Sequence, residues 1–113
     1  MKINGKFVSL RSLSIKDSKF IFNLRKIKKI SYYLHQPPNT LKDQKVWSEN
    51  NIKDKKTKDF IILSKKKNKK IGTIALNNIN LNQAEWGRWI SVGSSIENVE
   101  ASILIINYGF QKL

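Results

Sequence analysis

The chain has 113 residues, 40% of them hydrophobic, with 22 Lys and Arg against eight Asp and Glu, a net charge of +14. That length supports one hydrophobic core and leaves no room for an enzyme built from separate cofactor and substrate domains. With no cysteine and one histidine, His35, the composition excludes thiol nucleophiles, disulfide scaffolds, iron–sulfur clusters, and thiolate or polyhistidine metal sites.

From the N-terminus, Lys6 to Leu13 alternates, with Val8 and Leu10 on one face, which predicts a first strand. Ser14 and Asp17 form a Ser-x-x-Asp capping box that opens a helix with Phe20, Leu24 and Ile27 as its apolar face. Pro37 and Pro38 exclude helix there. Thr40 and Asp43 form a second capping box, predicting a weaker helix from Leu41 to about Ile52 that carries Trp47. The apolar runs Phe60–Leu63 and Ile71–Leu76 flank the basic stretch Lys65–Lys70, a hairpin with a solvated tip. A polar turn over Asn77–Gln83 leads to a fourth strand, Ala84–Val92. Strict alternation places Trp86, Arg88, Ile90 and Val92 on one side of it and Glu85, Gly87, Trp89 and Ser91 on the other. Gly93-Ser94-Ser95 breaks that strand, and a last helix starts near Ile96 or Asn98 with Ala101, Leu104, Ile105 and Tyr108 inward. Asn98 is read as its cap.

Nineteen of the 22 basic residues are lysine, and only Arg11, Arg25 and Arg88 are arginine. Proteins that read bases favour arginine, whose fork pairs bidentately with guanine, so the charge alone does not define a nucleic-acid reader. Residues 1–83 hold 20 basic and five acidic residues, a net +15, while residues 84–113 hold two and three, a net −1. No apolar run approaches the roughly 18 residues of a membrane span, and Met1–Lys6 has no apolar stretch of a secretory leader. A cytoplasmic location without membrane partners is the expectation.

The order β-α-α-β-β-β-α, with a Gly/Ser loop between the last strand and the last helix, resembles the GCN5-related N-acetyltransferases. The block Ala84-Glu85-Trp86-Gly87-Arg88-Trp89-Ile90 carries most of the likeness, with Gly93-Ser94-Ser95, Glu100-Ala101-Ser102 and Tyr108-Gly109-Phe110. Val8-Ser9-Leu10-Arg11, Asn23-Leu24-Arg25-Lys26 and Ile71-Gly72-Thr73 add to it. The branch it looks like acts on ribosomal-protein N-termini and on nucleotide-linked amino sugars.

The resemblance implies an α/β (α+β) fold with a mixed, mostly antiparallel sheet. It implies one domain over 1–113 whose cofactor half is 84–113. It also implies acetyl-CoA as co-substrate, a small-molecule amine as acceptor, and direct attack of the amine on the thioester. The family domain continues past this helix with a further strand, a helix and two closing strands, so the chain corresponds to a C-terminally truncated, incomplete domain. By the resemblance, Ile90, Ser91 and Val92 would pair with the pantetheine arm. The pyrophosphate would lie on Gly93, Ser94, Ser95, Ile96, Glu97 and Asn98, reaching Val99. Glu97 and Glu100 would then confront a polyanion with like charge.

Glu85 is the candidate base for the amine proton, or else a solvated strand residue. Trp86 and Trp89 are candidate walls of a ligand slot, or core. Arg88 and Arg25 are candidates for holding an acceptor phosphate, or for cross-strand and surface ion pairs. Tyr32, Tyr33 and His35 would line an acceptor loop, or pack under the Pro-Pro turn. An unpaired fourth strand offers an edge through which two copies would pair. Two other readings compete: a basic nucleic-acid-binding module using lysine and aromatic side chains, and a non-catalytic acetyltransferase remnant or interaction subunit.

Overall fold

The structure, a computed structural model, describes residues 2–28, 40–77 and 85–112. Five strands, β1 (Lys2–Asn4), β2 (Val8–Ser12), β3 (Lys58–Ser64), β4 (Lys69–Asn77) and β5 (Glu85–Ser91), form one antiparallel sheet in the order β1-β2-β3-β4-β5. Three helices, α1 (Ser18–Lys28), α2 (Leu41–Lys53) and α3 (Ser95–Lys112), complete the element order. None of the described helices is long and apolar enough to cross a membrane.

The expected order is present, with one addition. The first strand is a hairpin: Ile3 pairs with Leu10 across a turn at Gly5–Phe7. Three residues with one apolar side chain are too short a pattern to read, so β1 exists because β2 is there to receive it.

Alternation along β3 builds two cores. Phe60 and Ile62 join Val8, Leu10, Ile71, Ile74, Leu76, Ala101 and Ile105 under α3. Ile61 and Leu63 face the other way, with Leu13, Phe20 and Ile21 beneath α1. A bulge lets Ile71 join the first set: one step of β3, Ile62 to Leu63, spans two of β4, Gly72 to Lys70. Phe60 meets Tyr108 of α3 edge to face, ring centroids 5.4 Å apart.

Both caps are local geometry that the sequence carries, although only the one at Ser14 closes as a reciprocal box; at Thr40 the Asp43 carboxylate makes no return bond among the described residues. Ser14 caps a 3-10 turn, Ile15–Asp17, which leads into α1. The Asp17 carboxylate accepts from the Ser14 N–H at 2.8 Å. Thr40 caps α2 by accepting from the Asp43 N–H at 3.1 Å. On α1, Ile21 and Leu24 are buried and Phe20 is half-buried; the expected seam thus includes Ile21, which the reading by spacing omitted.

The basic hairpin tip is less free than its composition suggested. Asn68 takes the left-handed conformation at the turn, φ 52°. Lys65 donates its ammonium to the Gly5 carbonyl. Lys70 reaches Asp17 at 2.7 Å, beside the two-pronged contact of Arg11 at 2.8 and 3.0 Å. Burial pushes the Asp17 carboxyl up, but Arg11, Lys70 and the Ser14 N–H outweigh it and hold the group below the usual carboxylate range.

Candidate functional site

β5 ends and α3 begins within four residues, at the junction that the Gly/Ser loop singled out. Among the described residues β5 pairs only with β4, so its far side is an open edge. The ladder is interrupted: Thr73 pairs with Ile90 but Ala75 pairs with Gly87, so two steps of β4 face three of β5. The surplus residue lies at 88–89 and breaks the strict alternation expected from Trp86 to Val92. Trp89 packs against the core under α3, and Ile90 is buried.

Backbone bonds decide which groups of this segment are available. The Val92 N–H donates to the Ile71 carbonyl at 2.8 Å. In an antiparallel ladder a residue directs both its backbone polar groups to one side, and its neighbours direct theirs to the other. Val92 therefore points at β4, and Ser91 presents its N–H and C=O to the open edge. The Gly93 N–H is taken by the Ser91 hydroxyl at 2.9 Å. A side chain at Gly93 would meet Ile71 Cδ1 at 2.7 Å and Ser91 Oγ at 3.1 Å, so glycine lets the loop lie flat on the strand it leaves.

Ser94, not Asn98, caps α3. Its hydroxyl accepts from the Glu97 N–H at 3.3 Å, and its own N–H donates to Glu97 Oε1 at 2.9 Å. That is a complete Ser-x-x-Glu capping box. It leaves the N–H groups of Ser95 and Ile96 with no partner among the described residues, on exposed positions at the positive end of an 18-residue helix. The arrangement suits a phosphate ester.

The two glutamates expected to repel such a ligand are turned away from it. Glu97 is buried and also accepts from the Ser64 hydroxyl. That hydroxyl and the Ser94 N–H hold its carboxyl below the usual range, against the opposing effect of burial. Glu100 accepts from three consecutive N–H groups, Lys6 at 2.8 Å, Phe7 at 2.6 Å and Val8 at 2.7 Å. Burial raises its pKa, but the three donors and the charge of Lys65 outweigh that, and the net direction is down. A Cβ at Gly5 would collide with this carboxylate, so glycine at that turn is what admits it. Spacing shows the Ser94-x-x-Glu97 box, but it gave no sign that Ser64 and the β1–β2 turn draw the two carboxylates inward, because those partners lie far away in sequence.

Asn98 donates to the Gly93 carbonyl at 3.4 Å, and its Oδ1 is buried with no partner among the described residues. Val99 is exposed on the outer side of α3. For Arg25 in α1 and for Glu85, Trp86 and Arg88 in β5 only the backbone is described; Glu85 opens β5 opposite Asn77, and Trp86 faces Leu76. Tyr32, Tyr33 and His35 lie outside the described residues, as do the Pro37-Pro38 stop and the turn at 78–84. The residues the structure brings together are thus Ser91, Gly93, Ser94, Ser95, Ile96 and Asn98.

No family model matches the chain, and no curated protein matches it significantly. Solved structures do. The apo structure of FdhC, a nucleotide-linked sugar GCN5-related acetyltransferase, is 26% identical, with a TM-score of 0.81 over 100% of this chain and 67% of its own. Spermidine N-acetyltransferase from Vibrio cholerae, in complex with CoA and spermine, is 21% identical, with a TM-score of 0.76 over 95% of this chain and 66% of its own. RimL, the ribosomal L7/L12 alpha-N-protein acetyltransferase, is 14% identical, with a TM-score of 0.81 over 99% and 66%. Across such structures the chain spans between 55% and 69% of their length.

Proposed function

The chain carries the fold of the GCN5-related N-acetyltransferases from its first strand to its last helix, and on that premise we propose that it binds acetyl-CoA along the β5–α3 junction for acetyl transfer to a primary amine. The acceptor we propose is a nucleotide-linked amino sugar. The likeness to a nucleotide-sugar enzyme supports that choice, together with Arg88, an arginine at the β5 bulge suited to a phosphate.

The observation that carries the reading is the pair of unpartnered N–H groups at Ser95 and Ile96, beyond an open strand edge and with both nearby carboxylates withdrawn. In this proposal the outward N–H and C=O of Ser91 pair with the pantetheine amides, as a neighbouring strand would. The N–H groups of Ser95 and Ile96 take the pyrophosphate. Ile90 and Val92 direct their polar groups to β4 and act by fixing the edge. Ser94 and Glu97 hold the first turn of α3 open, and Gly93 keeps the loop low enough for a ligand to cross. Acetyl-CoA supplies the activated acetyl group, and Glu85 takes the proton that the attacking amine loses. The chain's surplus of lysine would draw both anionic ligands toward it.

The test is calorimetric titration with acetyl-CoA near physiological salt, with ATP and a random oligonucleotide as polyanion controls. Saturable binding selective for acetyl-CoA is expected. In Ser95→Glu the acidic side chain suits the helix N-terminus, so the fold should hold, but it stands where the pyrophosphate lies; at least a roughly tenfold loss of affinity is expected. Equal binding of all three polyanions, lost with salt, would discard the cofactor site and favour the nucleic-acid reading. Unchanged affinity in Ser95→Glu would discard the placement.

A further inference from the structure

Of the five glycines, only Gly5 follows an asparagine. The pair Asn4-Gly5 stands where β1 ends and the β1–β2 turn begins. An asparagine side chain loses ammonia when the backbone nitrogen of the next residue attacks its amide carbon. Glycine, with no side chain to shield that nitrogen, permits the closest approach. The fold requires the glycine but not the asparagine. A Cβ at residue 5 would collide with the Glu100 carboxylate and come within 2.9 Å of the Val8 carbonyl oxygen. Asn4 is exposed, and its side chain makes no hydrogen bond among the described residues.

The native turn withholds the attacking nitrogen. The Gly5 N–H donates to the Val8 carbonyl at 2.8 Å, and Asn4 is held opposite Ser9 in the β1–β2 ladder. The next three N–H groups, those of Lys6, Phe7 and Val8, all go to Glu100. Lys65 fastens the turn from the β3 side. Its N–H donates to the Phe7 carbonyl at 3.0 Å, and its ammonium donates to the Gly5 carbonyl. To react, the Asn4–Gly5 peptide must rotate and leave Val8, which the Glu100 clamp resists.

We propose that Asn4-Gly5 is a latent modification site, latched by Glu100, at which asparagine converts to isoaspartate when the turn opens and so loosens α3 from the first hairpin. In the first step the Gly5 nitrogen bonds to Asn4 Cγ and gives its proton to the departing amide nitrogen, which leaves as ammonia. A cyclic imide remains. In the second step water adds to one of the two imide carbonyl carbons and reopens the ring. Opening at Cγ gives aspartate. Opening at the backbone carbonyl gives isoaspartate, in which the main chain runs through Cβ and Cγ.

Isoaspartate inserts a methylene into the main chain between the end of β1 and the turn. The groups on either side are displaced from Ser9 and Val8. The three donors to Glu100 follow that point directly, and they cannot all keep contacts of 2.6 to 2.8 Å. The change is therefore one-way, because the modified turn weakens the clamp that protected it. The site does not rest on the acetyl-CoA reading.

Incubation of the purified chain in mildly alkaline buffer, read by isoaspartyl methyltransferase labelling and peptide mass mapping, tests this. Label is expected at residue 4 ahead of every other asparagine. The chain unfolded in urea gives the unprotected rate, and the folded chain should be at least about tenfold slower. Glu100→Gln loses part of the clamp and should raise the folded rate about tenfold. Asp17→Asn, which disturbs Arg11 and Lys70 but no bond of the turn, should leave it within about twofold. A further readout needs no destabilised variant. Hydrogen exchange at the Lys6, Phe7 and Val8 amides should quicken in the isoaspartyl fraction of the wild-type chain, and stay unchanged in Asn4→Gln aged beside it. Equal rates at residue 4 and at other asparagines, or in folded and unfolded chain, overturn the proposal. So does a Glu100→Gln rate equal to wild type, equal acceleration in Asp17→Asn, or an isoaspartyl fraction that keeps those amides protected.

Discussion

Glu100 offers the sharpest test of how this fold is held together. Its carboxylate receives three backbone N–H groups from the β1–β2 turn at 2.6 to 2.8 Å and so fastens α3 to the first hairpin. A hydrogen bond to a charged group contributes about 1.5–3 kcal/mol. The Lys6 donor is exposed and water replaces its partner at little loss, but those of Phe7 and Val8 are part-buried. Counting those two and allowing for some water entry, Glu100→Ala should cost about 3 kcal/mol, a large share of a typical 5–15 kcal/mol total. Denaturant melts followed by circular dichroism measure it directly. Glu100→Gln keeps one acceptor oxygen and should cost roughly half as much. The pH dependence supplies the sign. The folded pKa lies below the ordinary carboxylate value, so the stabilisation is complete above that value, about 4.3, and is lost as pH falls through the depressed one. The gap between wild type and Glu100→Gln should therefore be flat above about pH 5 and close below about pH 4. An alanine variant within about 1 kcal/mol of wild type, or a gap that persists unchanged into strong acid, would refute the clamp.

Two further outcomes follow from the same kind of accounting. Asp17 is nearly fully buried between Arg11 and Lys70, so Asp17→Asn leaves two cations facing a neutral amide and should cost about 3 kcal/mol or more by thermal melting, as broken buried pairs do. Ser94→Ala removes the cap of α3 and should cost about 1 kcal/mol; under the proposed function it should also weaken acetyl-CoA binding beyond what that stability loss explains, because the first turn frays where the phosphates sit.

What the sequence made legible was local. The capping box at Ser14 and the simpler cap at Thr40 close within three residues, so residue type and spacing suffice to see them. The β3–β4 hairpin shows itself because two apolar runs flank a charged turn, and α3 because its inward face repeats at helical spacing. The Gly/Ser break after β5 located the candidate site for the same reason. One miss is local, since Ser94-x-x-Glu97 spells the capping box that places the helix start before Asn98; the others involve partners distant in sequence. β1 becomes a strand only when β2 is there to receive it, and the bulges at Ile71 and at 88–89 only when the facing strand fixes the register.

The glutamates show the consequence for function. Read along the chain, Glu97 and Glu100 are two negative charges in the first turns of a helix proposed to receive a polyanion, and Coulomb's law counts them against it. In the fold, Ser64 lies 33 residues upstream of Glu97, and the β1–β2 turn more than 90 residues upstream of Glu100. Both draw their carboxylates beneath the helix. The same groups that argued against an anion site are what orient and cap the helix that would form it, and their inward turn leaves the outer face of α3 uncharged. The cap of Glu97 on Ser94 lies within four residues, but the bonds from Ser64 and from the β1–β2 turn that draw both carboxylates inward lie in no short window along this sequence.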